Sequence, residues 1–187
     1  MGVIGTIGGK GGNSSSNQSN SAAADLAIPP NQKSFTSTVE SFKSPYDSAD
    51  SEIKKTNVRF NRKAAISNYF SQVGSLQFQG WVGQVQALTT ESDGKAYISI
   101  KLAGSGVVIQ TWNNSLSDIV SNTMISRSDP LYPSLMNIKE GDDVTVSGTF
   151  IQGDDKTLDY VVEASLTEDG SMSEPEFIVK FNQISKK

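Results

Sequence analysis

The chain has 187 residues, of which 36% are hydrophobic, and it carries 16 Lys and Arg against 20 Asp and Glu. It contains neither cysteine nor histidine, which excludes disulfides, thiolate metal sites, cysteine nucleophiles and every Ser-His-Asp arrangement. The composition therefore predicts a protein that is not an enzyme and that holds no cofactor. The low hydrophobic share predicts one folded domain with disordered appendages.

Charge divides the chain into two parts. Residues 1–74 carry eight Lys and Arg and five Asp and Glu, whereas residues 75–187 carry eight and fifteen. A basic first part followed by an acidic second part indicates that the two parts have separate physical roles.

The first segment, residues 1–33, begins MGVIGTIGGKGG and continues into a tract rich in Ser and Asn. Gly9 and Lys10 do not complete a phosphate-binding loop, because the first glycine, the hydroxyl residue and the following helix of that motif are missing. The start also matches a myristoylation motif at Gly2, and its apolar residues fit the stub of a hydrophobic anchor. We predict a disordered Gly/Ser/Asn-rich linker over residues 1–33, with a membrane tether upstream of Met1.

Residues 34–74 are predicted to form an amphipathic helical segment. Ser44 and Pro45 fit the N-cap and the first position of a helix, and Gly74 fits the residue after a helix end. An apolar stripe recurs at helical spacing between them at Tyr46, Ala49, Ile53 and Phe60, and the pattern continues through Ala64, Ala65, Ile66, Tyr69 and Phe70. The pattern predicts one long helix of about 25 residues whose apolar stripe packs on the rest of the protein.

A second stripe on the predicted helix is basic, and it consists of Lys54, Lys55, Arg59, Arg62 and Lys63. One interpretation is an anionic partner on this face, either lipid headgroups or nucleic-acid phosphates. The other is a solvated outer face, which we favour because charged stripes opposite apolar ones are common in helices.

Beyond Gly74 the hydrophobic period changes from helical to two, which predicts β-strands. Residues 76–88 alternate around Gly80 and Gly83, as a long strand does where it bends or bulges. Further strands are predicted at residues 96–102, 107–112 and 160–166, and a fourth strand is entered by the segment 137–150. An irregular or helical crossover separates the third strand from the fourth.

The segment NIKEGDDVTVSGTF at residues 137–150 resembles the L-x-x-G-x-x-V-x-V-x-G stretch that enters the fourth strand of OB-fold domains. This motif, with the order of elements over residues 76–167, makes the chain similar to OB-fold domains, which are five-stranded Greek-key barrels. The resemblance implies a mainly β protein with one long N-terminal helix and an OB-like barrel over residues 75–187. Residues 175–184 are then an added C-terminal strand outside the five.

The stub, the linker and the barrel together also resemble bacterial single-pass envelope proteins, which present an OB domain similar to tRNA-anticodon-binding domains. This second resemblance implies a location in the bacterial cell envelope, on the periplasmic or extracytoplasmic side. The cytoplasm is the alternative location.

OB barrels bind oligonucleotides or oligosaccharides across strands two and three, so the resemblance makes Tyr97, Lys101 and Trp112 candidate ligand-binding residues. Single-stranded nucleic acid needs stacked aromatics and a basic groove. The flanking loops, residues 91–95 and 154–159, instead carry five acids and two bases, so their electrostatic field has the wrong sign for phosphates. The acidic turns also lack the EF-hand spacing, so we predict no metal site.

These observations favour a non-catalytic binding or adaptor module of the bacterial cell envelope, with another protein or an oligomeric ligand as its partner. The alternative is a single-stranded nucleic-acid-binding OB protein that uses the basic helix and the barrel face, but we expect that nucleic acid is not the ligand. A third class, a hydrolase with paired carboxylates, has the least support.

Overall fold

The computed structural model describes Gly2 and residues 27–153, 160–165 and 167–187. The described chain contains these elements in order: α1 (Pro30–Glu40), α2 (Lys43–Asp47), α3 (Glu52–Val73), β1 (Gln77–Thr90), β2 (Ala96–Leu102), β3 (Val108–Gln110), α4 (Tyr132–Leu135), β4 (Asp143–Phe150), α5 (Glu168–Ser173) and β5 (Glu176–Lys186). Most of the predicted linker and the acidic turn at residues 154–159 lie outside the described residues. The first helix begins inside the predicted linker, at Pro30.

The five strands form one closed barrel in the order β1-β2-β3-β5-β4, and β4 pairs with β1 to close it. Strands β3 and β5 are parallel, and the other neighbouring pairs are antiparallel. The period-two pattern explains the core of β2, where the buried apolar side chains are Ala96, Ile98, Ile100 and Leu102. This mainly β, closed five-stranded barrel is compatible with an OB-like fold.

The prediction of an added C-terminal strand is wrong, because β5 is itself the fifth strand of the barrel. It fills the position between β3 and β4, with Phe177 opposite Ile109 and Ile184 opposite Val146. The segment predicted as the fifth strand contributes isolated bridges at its described residues. The reason is apolar content, because β5 buries Phe177, Ile178, Val179, Phe181 and Ile184, whereas Val161 is the one buried apolar residue among residues 160–165.

The prediction of one long helix is also wrong, because the N-terminal part forms three helices. Ser44 and Pro45, predicted to begin the helix, lie within α2. Residues 48–51 are rich in Ser and Asp, whose side chains compete for backbone hydrogen bonds and favour helix ends. Ser51 precedes α3 in an extended conformation with φ −152° and ψ 154°, as an N-cap residue does. Gly74 does end α3, in the left-handed conformation with φ 71°.

One aromatic cluster joins the helices to the barrel. Phe35 of α1 is fully buried, and its ring centroid lies between 4.9 and 5.8 Å from those of Phe70, Trp81, Phe150 and Phe177. These distances are typical of favourable aromatic pairs. Because the rings come from α1, α3, β1, β4 and β5, the helical segment and the barrel share a single core.

A buried glutamine fixes α1 against the first strand. Gln32 Nε2 donates a hydrogen bond to the carbonyl oxygen of Val82, and the Val82 amide donates one to Gln32 Oε1, both at 2.8 Å. The side chain thereby satisfies the buried Val82 amide and adds a second donor to the Val82 carbonyl, which also accepts a hydrogen bond from the Ala103 amide at 3.0 Å.

In its first half α3 packs with the face opposite to the predicted apolar stripe, whereas Ile66 and Phe70, in the predicted continuation of that stripe, are buried. Ile53 and Phe60, from the predicted apolar stripe, are 78% and 57% exposed. Arg59 and Arg62, from the predicted basic stripe, are buried together with Ile66. Positions four and seven residues before Ile66 share its helix face, so the burial of Ile66 against the core brings both arginines inward.

Candidate functional site

The outer face of β2 and β3 carries two of the three predicted ligand-binding residues. Side chains alternate between the two faces of a strand, so Tyr97 and Lys101 lie on the same outer face of β2. Lys101 is exposed and Tyr97 is half-buried. Across the strands, Ser99 pairs with Gln110 and Lys101 pairs with Val108. The structure therefore places Tyr97 and Lys101 on the same face of β2.

A chain of hydrogen bonds crosses this face from β2 to β5. The Tyr97 hydroxyl donates to Gln110 Oε1 at 2.8 Å, and Gln110 Nε2 donates to Glu176 Oε2 at 3.3 Å. Burial raises the pKa of Tyr97, and the negative charge of Glu176 acts in the same direction. Tyr97 is therefore a neutral phenol at neutral pH, on a face that also presents the cation of Lys101 and the anion of Glu176.

Trp112, the third predicted residue, belongs to the crossover that follows β3. Its amide donates to Thr123 Oγ1 at 2.9 Å, and its indole Nε1 donates to Ser121 Oγ at 3.4 Å. The side chain is half-buried. The crossover thus holds the indole in place, and Trp112 does not lie within β3.

The same crossover presents a surface that the sequence analysis missed. Three large aliphatic side chains, here named the apolar tip, are 80%, 72% and 93% exposed: Leu116, Ile119 and Val120. Asp118 lies between them in sequence but is only 3% exposed. It accepts hydrogen bonds from Thr123 Oγ1 at 2.7 Å and from the Met124 amide at 3.0 Å. The buried carboxylate therefore holds the turn that carries the apolar tip.

The apolar tip is also tied to the loop between β1 and β2. Ser115 Oγ donates to Glu91 Oε2 at 2.6 Å, and the Ser115 amide donates to the same carboxylate. In OB-fold proteins this loop flanks the ligand-binding face. Because Thr90 pairs with Ala96, this contact holds the tip at the start of β2, the end of that strand that carries Tyr97.

On α3, the two lysines nearest the N-terminus form exposed or half-exposed ion pairs. Lys54 Nζ lies 2.8 Å from Asp50 Oδ1, and Lys55 Nζ lies 3.4 Å from Asp169 Oδ1. Asp169 also accepts a hydrogen bond of 2.6 Å from the Tyr46 hydroxyl. That hydrogen bond, with the charge of Lys55, holds the pKa of Asp169 below its usual range.

The arginines of the predicted basic stripe form more deeply buried pairs. Arg59 Nη1 lies 3.8 Å from Glu168 Oε2, and Arg62 Nη1 lies 2.6 Å from Glu163 Oε1. The Arg62 guanidinium also lies over the Phe177 ring, 5.5 Å from its centroid. Lys63, the last residue of the stripe, is half-buried.

Much of the predicted basic helix face is therefore engaged within the chain. Lys55, Arg59 and Arg62 pair with carboxylates from the segment between β4 and β5, which belongs to the acidic part. The opposite charges of the two parts were visible in the sequence. Their mutual pairing was not, because it depends on contacts between residues about 100 positions apart.

A cleft over β1, β4 and β5 is a second feature that the sequence analysis missed. It has a volume of about 420 Å³ and is lined mainly by amide and hydroxyl side chains: Asn31, Ser75, Gln77, Gln79, Ser147, Asn182 and Gln183, with Phe78. A signal was present in Asn182-Gln183, where two consecutive polar residues interrupt the alternation of β5.

The described residues contain no group of three or more carboxylates placed to hold a metal ion. Among the helices in that part of the chain, none combines the length and the apolar character needed to cross a bilayer. No protein-family model matches the chain, and neither a curated protein nor a solved structure matches it.

Proposed function

We propose that the chain is a non-catalytic binding or adaptor module that binds a partner protein or an oligomeric ligand at the β2–β3 face and the apolar tip. The apolar tip carries the proposal, because three aliphatic side chains among residues 116–120 are 72–93% exposed on a turn held by buried Asp118. Large apolar side chains that are exposed together on one turn are typical of interaction surfaces. Analogy with OB barrels, an associational argument, favours the same side of the barrel.

The charges of this face favour a protein over a polyanion. Lys101, the Tyr97 phenol and Glu176 offer a cation, a hydrogen-bonding hydroxyl and an anion on one face of the barrel. Such a mixture suits a protein surface with both donors and acceptors. Nucleic acid is the less favoured ligand, since phosphates need a surplus of cations, and three cations of α3 already pair with carboxylates.

We further propose that the barrel is an OB domain of the kind that resembles tRNA-anticodon-binding domains in bacterial single-pass envelope proteins. In this proposal a tether upstream of Met1 holds the chain at the cell envelope, and the tract that precedes α1 serves as the linker. The apolar start and the Ser- and Asn-rich composition of that tract support the proposal.

Site-specific photocrosslinking in native cells tests the binding surface. The photoreactive amino acid p-benzoylphenylalanine is incorporated in place of Lys101, Ile119 or, as a control on the exposed side of α3, Asn57. We expect the same discrete crosslinked species from positions 101 and 119 and not from position 57. Ile119→Asp should abolish the species formed from position 101. Identical patterns from all three positions would contradict the proposal.

Protease accessibility tests the location independently. If the chain is held on the extracytoplasmic side of a membrane, protease added to intact spheroplasts should degrade it, and it should sediment with membranes. Degradation only after lysis would instead support the cytoplasmic alternative, without changing the prediction for the β2–β3 face.

A further inference from the structure

The cleft over β1, β4 and β5, named here the amide cleft, is built from neutral hydrogen-bonding groups. Five of its eight lining residues are Asn or Gln, two are Ser, and none is charged. Its volume of about 420 Å³ lies within the range of about 300–1,000 Å³ that is usual for small-ligand sites. It lies over β1, β4 and β5, whereas the proposed partner surface lies on β2 and β3.

Two β-bulges on either side of one serine create this cleft. On β1, Phe78 pairs with Gly148 and Trp81 with Val146, so Gln79 and Gly80 together stand opposite Ser147. Gly80 adopts the left-handed conformation with φ 67°, as the glycine of such a bulge does.

On β5, the second bulge is at Asn182. Ser147 pairs with Gln183 and Gly148 with Phe181, so Asn182 is left without a ladder partner. The bulge explains why two consecutive residues, Asn182 and Gln183, are both exposed and both line the cleft. Bulges redirect side chains in this way and occur preferentially beside functional sites.

Ser147 forms the floor between the bulges. It is only 5% exposed, and its Oγ accepts a hydrogen bond from the Gly80 amide at 3.1 Å and donates one to Gln183 Oε1 at 3.4 Å. The next residue must be small, because a Cβ on Gly148 would lie 2.6 Å from the Lys180 carbonyl oxygen and 2.9 Å from the Phe78 ring. The folded backbone and these hydrogen bonds therefore hold Ser147 in place before any ligand binds. A site that is already ordered lowers the entropic cost of binding.

From this geometry we propose that the amide cleft binds a neutral, polyhydroxylated ligand, of which a saccharide is the representative class. A primary amide donates through its NH₂ group and accepts through its oxygen, and each sugar hydroxyl does both. Several amides facing one cleft can thus bond neighbouring hydroxyls. A phosphate or carboxylate would find no counter-charge among the lining residues, and burying it there would be unfavourable.

Side-chain amide NMR on the whole chain tests the proposal. The probes are neutral hexasaccharides of glucose, with α-1,4 or β-1,4 linkages, and of N-acetylglucosamine, together with an anionic hexagalacturonate. We expect at least one neutral probe to produce saturable shifts of the Gln77, Gln79, Asn182 and Gln183 side-chain NH₂ signals, with a Kd on the order of 1 mM or tighter. Hexagalacturonate should produce no saturable shift there.

Matched variants then show whether a loss of binding comes from the cleft or from any change of surface glutamines. Gln79→Ala combined with Asn182→Ala should weaken binding about tenfold or more, since two hydrogen bonds are lost. Gln84→Ala combined with Gln86→Ala is the control, because these exposed glutamines lie on the same strand outside the cleft. It should leave the Kd unchanged.

Two results would overturn the proposal. One is the absence of saturable shifts at all four amides with every neutral probe at concentrations up to about 10 mM. The other is an equal loss of binding in the cleft variant and the control. Tyr97→Ala reports on the other face of the barrel and should not alter saccharide binding, so failure of this inference remains distinct from failure of the proposed partner surface.

Discussion

Arg62 Nη1 lies 2.6 Å from Glu163 Oε1, and the two side chains are only 1% and 2% exposed. The pair connects α3, in the basic part of the chain, to the segment between β4 and β5, in the acidic part. Buried charges are tolerated when an opposite charge compensates them, and the loss of one partner leaves the other uncompensated. This contact is one reason why the helical segment and the barrel behave as one folded unit.

We predict that Arg62→Met lowers the free energy of unfolding by about 3–5 kcal/mol, because it removes one partner of a buried ion pair. The double variant Arg62→Met/Glu163→Leu should recover most of this loss, since it removes both charges. Urea denaturation followed by tryptophan fluorescence measures the effect, because Trp81 is buried in the shared core. The control is Lys54→Met, whose exposed ion pair should contribute at most about 1 kcal/mol. Equal midpoints for Arg62→Met and Lys54→Met would show that the buried pair has no special role.

The exposure of α3 residues gives a second prediction. Ile53 is 78% exposed and Ile66 is 1% exposed on the same helix. Ile53→Asp should therefore change the free energy of unfolding by no more than about 0.5 kcal/mol, whereas Ile66→Asp should cost several kcal/mol by burying an unpaired charge. The expectation from the sequence was that Ile53 packs on the barrel. A large loss of stability in Ile53→Asp would restore that expectation and contradict the observed face.

The third prediction concerns the pH dependence at Asp169. Its pKa is lowered by the hydrogen bond from Tyr46 and by Lys55, so its contribution to stability is present above the unfolded pKa of about 3.9 and is lost as the pH falls through the folded value. Tyr46→Phe removes the hydrogen bond and should raise the pKa of Asp169. The titration of the Asp169 carboxyl carbon by NMR measures this change.

Asp142 supplies the matched control for that titration. Lys186 lowers the pKa of Asp142 through a 2.8 Å hydrogen bond, so Tyr46→Phe should leave the Asp142 midpoint unchanged. Lys186→Met should raise the midpoint of Asp142 and not that of Asp169. If Tyr46→Phe shifted the titration midpoints of Asp169 and Asp142 equally, the cause would be a change throughout the protein and not the loss of the local hydrogen bond. That result would contradict the prediction.

The fourth prediction is that single-stranded DNA and RNA bind weakly. The acidic part and the intrachain pairing of Lys55, Arg59 and Arg62 leave few cations for phosphates, so we expect a Kd weaker than about 10⁻⁴ M near physiological salt. Fluorescence anisotropy with labelled oligonucleotides over a salt series measures it. Micromolar binding with a steep salt dependence would contradict the prediction. Loss of that binding in Lys101→Glu would place the site on the barrel, and loss in Lys54→Glu would place it on α3.

Patterns that are local in the chain were predictable from the sequence. The alternation of residues 96–102 predicted β2 with its observed bounds, because side chains of a strand alternate whatever their neighbours are. Gly74 predicted the end of a helix, because glycine adopts the left-handed conformation without steric cost. The bend at Gly80 was likewise predictable from a glycine inside an alternating strand.

Arrangements that join distant residues were decided by the tertiary structure. The sequence predicted residues 160–166 as the fifth strand and residues 175–184 as an added one, but the place of β5 in the barrel depended on its pairing with β3 and β4. The amide cleft arises because bulges on β1 and β5 meet at Ser147, and neither bulge is defined without its partner strand.

The faces of α3 show most clearly what the sequence determines and what only the tertiary structure decides. The sequence by itself determined that the helix has an apolar stripe and a basic stripe, and that the later part of the chain is acidic. It did not determine which stripe is buried, because a charged side chain can enter a core only where an opposite charge compensates its desolvation. For Arg62 that charge is Glu163, 101 residues further along the chain, and only the folded barrel brings the two together.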